Sequence, residues 1–568
     1  MTELRRPFNE PMTEPPAWDA PAVEHLAEDL RVLPYTTEAL GELLGETALA
    51  ALDREQAEPA RRRVQQIMHD DGAADSQRAL VVVVSLWMLG DPVRAELVDA
   101  ALPRLGAHGA ADLNLGLLRE NILYPVVDLS PYATDDHGDL WITSDQTALQ
   151  TERTLPGWHV VGIGRASLTL AGNVIRRPVR RALDLGTGCG IQTVHLLAHA
   201  EHVTATDLST RALSFTAFNL VLNARALGLD ARTALFGPGG RVTLLAGDLL
   251  EPVAGQRFDL IVSNPPFVIS PRTASDPGRL TGEPVDGINT YRDGGRTGDY
   301  LLAELIASLP DHLEPGGIAQ MLGNWEIPTG ASAPSDSVPS DSVPGATSPQ
   351  QAGWDERPRR WIPEGLDAWI IQRDLLDPAG YAETWLQDSS EQLDPARYAA
   401  GYRDYLDGFA AREVAAVGFG YLWLRRPAEP RAGRIRTEVL EGELQQPLGP
   451  AWADAVDRWD TIAAGSVDGS AELRDLRLRV AADVTEERHQ RFGAEHPEVI
   501  LARQGGSFRR TARLDTATAG FMAAADGEFS VGQLTGAVAG LLDLDEAGEQ
   551  ALMAAVADLF ADGFLVAS

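Results

Sequence analysis

The stretch Leu183-Asp184-Leu185-Gly186-Thr187-Gly188-Cys189-Gly190 constrains the fold of this chain more than any other. Ala182–Leu185 reads as a strand and Ile191–Ala200 as a helix. Glycines at alternate positions between them let the chain turn tightly and leave bare backbone for a ligand to approach. Free N–H groups at the start of the following helix suit polar or anionic ligand atoms. The alternation continues downstream. His202–Thr206, Val242–Leu245, Leu260–Val262, Ile318–Leu322, Ala368–Ile371 and Val417–Leu424 read as strands, with helices over Ser209–Ala226 and Tyr300–Leu309. Strands and helices of this length in alternation predict an α/β fold: a seven-stranded, mostly parallel sheet with helices on both faces.

At 568 residues the chain is too long for one ordinary core, and three domains are expected. Apolar positions recur at helical spacing before the sheet (Leu26, Leu30, Leu33; Leu40, Leu43, Leu44), which predicts a helical N-terminal domain over 1–125. The α/β domain is expected over 126–430. The repeat Pro-Ser-Asp-Ser-Val-Pro-Ser-Asp-Ser-Val-Pro has no apolar face, so about 331–351 is expected to be a disordered insertion. A third domain is expected over 431–568. Its end, Leu514–Val566, reads as three helices and a short hairpin, a winged-helix-like pattern. The expected core there is Phe521, Phe529, Val531, Leu534, Leu541, Leu552, Val556, Leu559, Phe564 and Leu565.

Charge and cysteine content narrow the setting. Lys plus Arg number 48 against 82 Asp plus Glu, a formal charge of −34, which opposes non-specific binding to nucleic acid or anionic membrane while allowing a local basic groove. Cys189 is the single cysteine, so no intrachain disulfide can form, as in a reducing compartment. The N-terminal sequence has no apolar signal region, and the most apolar run, Ala79–Leu89, is about half the roughly 20 residues of a membrane span. A cytoplasmic protein with no membrane contact is expected.

Three acidic residues follow three successive strands or lie at their ends. Asp184 precedes the glycines, where its carboxylate suits a cationic ammonium and would repel a pyrophosphate. The G-x-G-x-G spacing also differs from the G-x-G-x-x-G of dinucleotide binders. Asp207, followed by Leu208, is placed to accept two ribose hydroxyls, or else to cap the helix from Ser209. Asp248, followed by Leu249, is placed to accept from an adenine amino group, or else is a turn residue. About 75 residues after the glycines comes Asn264-Pro265-Pro266-Phe267. Its prolines fix the backbone and lack N–H groups, which leaves the Asn264 side-chain oxygen and the Pro265 carbonyl as outward acceptors. An –NH2 on an amide or a base can donate to both, and Phe267 can stack on the planar group that carries it. So held, the nitrogen lone pair can face the methyl of a sulfonium. Orientation then supplies most of the rate without a strong general base.

Taken together, Asp184–Gly190, Asp207, Asp248 and Asn264–Phe267 resemble the class I S-adenosylmethionine-dependent methyltransferases of the Asn-Pro-Pro-Tyr/Phe branch. That branch includes release-factor glutamine N5-, rRNA guanine N2- and N6-adenine methyltransferases. Tyr291–Asp299 is similar to the Gly-Gly-x-x-Gly segment of the glutamine and rRNA groups. The resemblance covers roughly residues 150–425. It implies a Rossmann-like sheet and S-adenosyl-L-methionine as cofactor. Asp184, Gly186, Thr187, Gly188 and Gly190 would hold the methionine part, Asp207 the ribose and Asp248 the adenine, with Leu208 and Leu249 beside them also cofactor-binding. Asn264, Pro265, Pro266 and Phe267 would hold the substrate nitrogen. The chain departs from the branch at Phe267, where Tyr is commoner. It also lacks a Pro-rich loop before the glycines and has Gly162–Leu168 instead, which either covers the cofactor or starts a helix.

The expected substrate is macromolecular: an RNA or DNA base, favoured here for the winged-helix-like end and the arginine clusters, or a protein glutamine. Arg176, Arg177, Arg180 and Arg181, and Arg509 with Arg510, suit phosphates but read more readily as solvated faces. His195, His199 and His202 make no convincing metal site, and no metal is expected. Two other classes compete: a nicotinamide-dependent oxidoreductase, opposed by the glycine spacing, and a non-catalytic cofactor-binding scaffold.

Overall fold

From residue 179 onward the apolar runs assemble into one mixed sheet. We label its strands β1 (Val179–Leu185), β2 (Ala200–Asp207), β3 (Val242–Ala246), β4 (Phe258–Ser263), β5 (Leu313–Pro328), β6 (Asp367–Leu376), β7 (Val414–Arg425) and β8 (Ile435–Val439). Their order across the sheet is β8-β6-β7-β5-β4-β1-β2-β3. β7 runs antiparallel to both β5 and β6, and the other pairings are parallel. Leu183 on β1 and Ile261 and Val262 on β4 are fully buried, as central strands covered on both faces require. The sheet has eight strands where seven are expected from sequence. The eighth, Ile-Arg-Thr-Glu-Val, is a short edge strand with no buried residue, so no apolar run announces it.

The computed structural model describes residues 14–18, 21–229, 235–236, 239–266, 268–269, 298–330, 353–464 and 470–568, so the expected insertion at 331–351 lies outside the described residues. The chain forms two compact units, Met1–Leu170 with Arg177–Val439 and Ala171–Arg176 with Leu440–Ser568.

Within the first unit, α1 (Ile191–Leu196) follows β1, α2 (Thr210–Leu222) follows β2 and α3 (Tyr300–His312) precedes β5. α4 (Pro378–Asp388) and α5 (Pro395–Ala411) lie between β6 and β7. The N-terminal segment packs its buried face against α2. Leu26, Leu30, Leu86 and Trp87 belong to the same buried cluster as Phe215, Phe218 and Leu222 of α2. That segment also contains a small sheet of Val93–Arg94, Gly116–Arg119 and Ile122–Pro125. The change of sequence texture near Tyr124 coincides with a switch from helices to strands.

A hairpin, Val127–Thr134 with Gly138–Asp145, lies along α2. Two side-chain amides take the place of a neighbouring strand. Asn219 Oδ1 accepts from the Thr143 N–H (2.8 Å) and its Nδ2 donates to the Thr143 carbonyl (2.9 Å). Asn223 does the same at Trp141 (2.9 and 2.6 Å). One helical turn separates the two amides, so they meet alternate residues of one strand. At the start of α2, Arg211 forms a buried ion pair with Asp145 (Nε–Oδ2 3.0 Å).

The second unit contains two three-stranded sheets. Helices Thr516–Ala524, Val531–Leu542 and Glu546–Ala561 appear as expected, but the hairpin does not. Asp526–Ser530 and Leu565–Ala567 each pair with Arg477–Val480, which lies between them. Of the expected core, Phe529 is 50 % exposed and Leu541 85 %. Phe529 sits on an edge strand. The buried stripe of Val531–Leu542 runs Val531, Leu534, Thr535, Val538 and Ala539, and its last turn carries Leu541 beyond it. Among the described residues no helix is long and apolar enough to cross a membrane.

Candidate active site

The order β3-β2-β1-β4-β5 means that the chain moves outward from β1 and then returns to β4 on its other side. Ligands of open α/β sheets bind at this reversal, outside the carboxyl ends of the strands. Here those ends are level. Leu185 pairs with Thr206 on β2 and Ser263 on β4, and Thr206 pairs with Leu245 on β3. The residues that follow therefore leave the sheet from one edge: Gly186, Asp207, Asn264 and, a step later, Gly247 and Asp248.

Gly186, Gly188 and Gly190 adopt φ of +76°, +57° and +89°, the left-handed region that glycine enters without strain. The N–H groups of Gly186 and Thr187 both donate to the Thr206 carbonyl (2.9 Å each), which ties the bend to β2. Asp184 is 1 % exposed, and its Oδ2 accepts from the hydroxyls of Thr187 (2.7 Å) and Thr193 (2.6 Å). Burial pushes its carboxyl up to about 6 against these bonds. The carboxylate is thus turned inward and fixes the shape of the bend. The glycines serve different ends. A Cβ on Gly190 would lie 2.9 Å from Thr216 Cγ2, so this glycine lets α2 approach, whereas a Cβ on Gly188 would meet nothing within 4 Å.

Asp207 closes β2, its Oδ2 accepting from the Gly188 N–H (2.9 Å) and its Oδ1 from the Ser209 N–H (2.8 Å). Burial raises its carboxyl above the ordinary value. The cap of α2 is Ser209, whose hydroxyl accepts from the Ala212 N–H. Leu208, 60 % exposed, presents a flat apolar surface beside the acid. The Gly247 N–H donates to the Asp207 carbonyl (3.1 Å), holding the Asp248 loop next to it, and Leu249 turns that loop at φ +45°.

Beyond β4, the Ser263 hydroxyl donates to the Leu185 carbonyl (2.8 Å), a clamp across the β1–β4 reversal that the sequence does not announce. The Asn264 carbonyl oxygen lies 4.0 Å from where a Cβ of Gly186 would be, so the Asn-Pro-Pro turn and the glycine bend adjoin. Asn264 Oδ1 is buried with no hydrogen-bond partner among the described residues. A buried acceptor without a donor is costly, and such a group in a cleft fits a ligand N–H. Phe267 and Tyr291–Thr297 lie outside the described residues.

The weaker sequence features have structural partners. The Arg180 and Arg181 N–H groups donate to Asp259 Oδ2 (3.2 and 2.9 Å), and the Arg181 guanidinium meets Gln256 and the Phe258 ring, at the sheet edge opposite the glycine bend. Arg510 is buried against Phe508 and donates to the Asp562 carbonyl (3.1 Å). His195 meets the Tyr132 hydroxyl (2.8 Å), and His202 bridges the Gly240 carbonyl and Thr243. Within Gly162–Leu168, Arg165 begins the helix Arg165–Asn173, and the Ser167 carbonyl accepts from Gln192 Nε2 of α1 (2.8 Å).

Comparison with known proteins adds an independent line. Residues 33–121 match a domain of unknown function, DUF7059, and residues 160–276 match the family described as "Methyltransferase small domain". The chain is 35 % identical over 151 residues to a ribosomal protein uL3 glutamine methyltransferase of Bradyrhizobium diazoefficiens, covering 26 % of this chain and 42 % of that protein. It is 36 % identical over 160 residues to a release factor glutamine methyltransferase of Bordetella pertussis, covering 28 % and 52 %. With a ribosomal RNA small subunit methyltransferase C of Alcanivorax borkumensis the identity is 28 % over 248 residues, covering 43 % and 62 %. The chain thus spans about half the length of the glutamine methyltransferases it matches. The match to the methyltransferase small domain, over residues 160–276, takes in the glycine bend, the three strand-end acids and the Asn-Pro-Pro turn.

Proposed function

We propose that this chain is an S-adenosylmethionine-dependent N-methyltransferase acting on a planar –NH2 group. The single observation that carries the reading is the buried Asn264 Oδ1, without a hydrogen-bond partner among the described residues, on the turn whose backbone adjoins Gly186. Bound at the glycine bend, S-adenosylmethionine supplies a methyl group activated on a sulfonium. The protein's part is placement. Gly188 leaves open space for the methionine portion, Asp207 offers its carboxylate to the ribose hydroxyls, and Leu208 and Leu249 flank the adenine with Asp248 at its amino edge. Asn264 Oδ1 and the Pro265 carbonyl accept from the substrate –NH2 and aim its lone pair at the methyl. No residue needs to act as a strong base, since the proton can leave after the nitrogen has been alkylated.

For the substrate we favour a protein glutamine. The second unit, expected to bring a basic field to a nucleic acid, has acidic residues outnumbering its arginines about two to one, and the guanidinium groups of Arg181 and Arg510 have structural partners. The longer alignment to the rRNA methyltransferase favours a nucleic-acid base as the second reading. The test is incubation of the full chain with methyl-labelled S-adenosylmethionine and separate pools of ribosomal proteins, release factors and ribosomal RNA. Label in a protein pool, released as methylglutamine on digestion, is the expected result. Label only in RNA selects the second reading, and label in none rejects methyl transfer to these classes.

A further inference from the structure

Building on the methyl-transfer reading, we propose that Tyr381 is a positioning residue for the Asn264-Pro265-Pro266 turn, holding it in register through its hydroxyl. The turn begins at the Ser263 clamp. Pro265 and Pro266 have no N–H, so neither can anchor the backbone by donating. Past them, the Ile269 N–H donates to Tyr381 Oη (2.7 Å), across 112 residues of sequence. The same oxygen accepts from Asn324 Nδ2 (2.9 Å), on β5. One hydroxyl thus ties the distal end of the turn to the strand beside β4.

The hydroxyl is well placed for this task because its ring cannot move. Tyr381 lies on α4 and is fully buried. Phe409 of α5 meets it edge-on, with centroids 5.4 Å apart, and Phe419 of β7 stacks on it at 5.6 Å. Trp385 and Tyr405 complete the cage. Ile269 is itself fully buried in this cluster. Asn264 can present its oxygen accurately only if both ends of its short turn are fixed, and a displacement of an ångström at a reacting nitrogen is enough to cost much of the rate.

The alternative is a tyrosine that merely satisfies a core. Tyr381→Phe in the full chain separates the two, because the ring and its packing stay. We expect S-adenosylmethionine affinity, read by calorimetry, within twofold of wild type, and kcat for the pool that wild type labels reduced at least tenfold. Asn324→Ala removes the second donor to the same oxygen without touching the cage. It is expected to lower kcat in the same direction, with the double variant no worse than Tyr381→Phe alone. Turnover equal to wild type in Tyr381→Phe, whatever its melting temperature, overturns the proposal. So do fully multiplicative losses in the double variant, which also decide the matter if one single variant folds poorly. A wild-type chain that transfers no methyl refutes the underlying reading instead, so the two failures are told apart.

Discussion

Gly188→Ala isolates the ligand side of the glycine bend. At φ +57° an alanine pays the left-handed penalty, about 1–2 kcal/mol. The new methyl meets no atom of the described residues within 4 Å, so no packing clash with them adds to it. Gly228, past the end of α2, is the matching control: φ is +67° and its surroundings are equally open. Gly188→Ala and Gly228→Ala should therefore lose similar stability, a few degrees in the melting curve of the first unit. Their cofactor affinities should part. A methyl forced into a fitted contact costs about 1–3 kcal/mol, which is roughly 5- to 150-fold in Kd. Calorimetric titration with S-adenosylmethionine should show that loss for Gly188→Ala and no loss for Gly228→Ala. Gly190→Ala, with its methyl 2.9 Å from Thr216, should instead fail mainly by destabilising the fold. Equal affinities in wild type and Gly188→Ala would refute the placement of the cofactor, as would equal weakening by the control.

Two further outcomes follow. Asn264→Ala should reduce kcat at least a hundredfold while leaving the Kd for S-adenosylmethionine nearly unchanged, since its oxygen is proposed to face the substrate, and a large rise in that Kd in the titration would count against the assignment. Two buried carboxyls should make the first unit lose stability as pH rises. Burial pushes Asp184 up to about 6 and Asp128, which accepts from Ser130 and Gln150, up to about 7. Both lie above the ordinary value of 3.8, so protonation favours the fold. The contribution is complete below about pH 4 and is lost as pH climbs through 6 and then 7, on the order of 3 kcal/mol for Asp184 alone. Urea unfolding at pH 5 and pH 8 checks this. Asp128→Asn should gain on wild type between the two, and an identical difference at both pH values would sink the argument.

The sheet and the loops at its carboxyl edge were readable from sequence because each depends on local patterns. Strand-length apolar runs separated by helices specify a parallel sheet, and the glycine spacing and the two prolines specify backbone shapes that few other residues permit. What stayed hidden depends on distant partners. Asp184 stands at the strand end as expected, but only the fold shows Thr193 reaching it from α1. Ser263 and Tyr381 are ordinary residues in sequence, and their roles come from the Leu185 carbonyl and the Ile269 N–H, contributed by other elements. The edge strand Ile435–Val439 hid because edge strands need no apolar run. Phe529 and Leu541 misled because helix periodicity says which face a residue shares but not where the neighbouring core ends.

The side-chain amides of α2 have a practical bearing on how this protein can be divided. Residues 160–276 look excisable as a sequence family, yet that piece alone would leave Phe215, Phe218 and Leu222 facing water and strip Asn219 and Asn223 of the strand they hold. The minimal unit that can be handled separately therefore begins near residue 21. Changes in the N-terminal helices also inherit leverage over Asp207, because the helix they brace starts three residues after it.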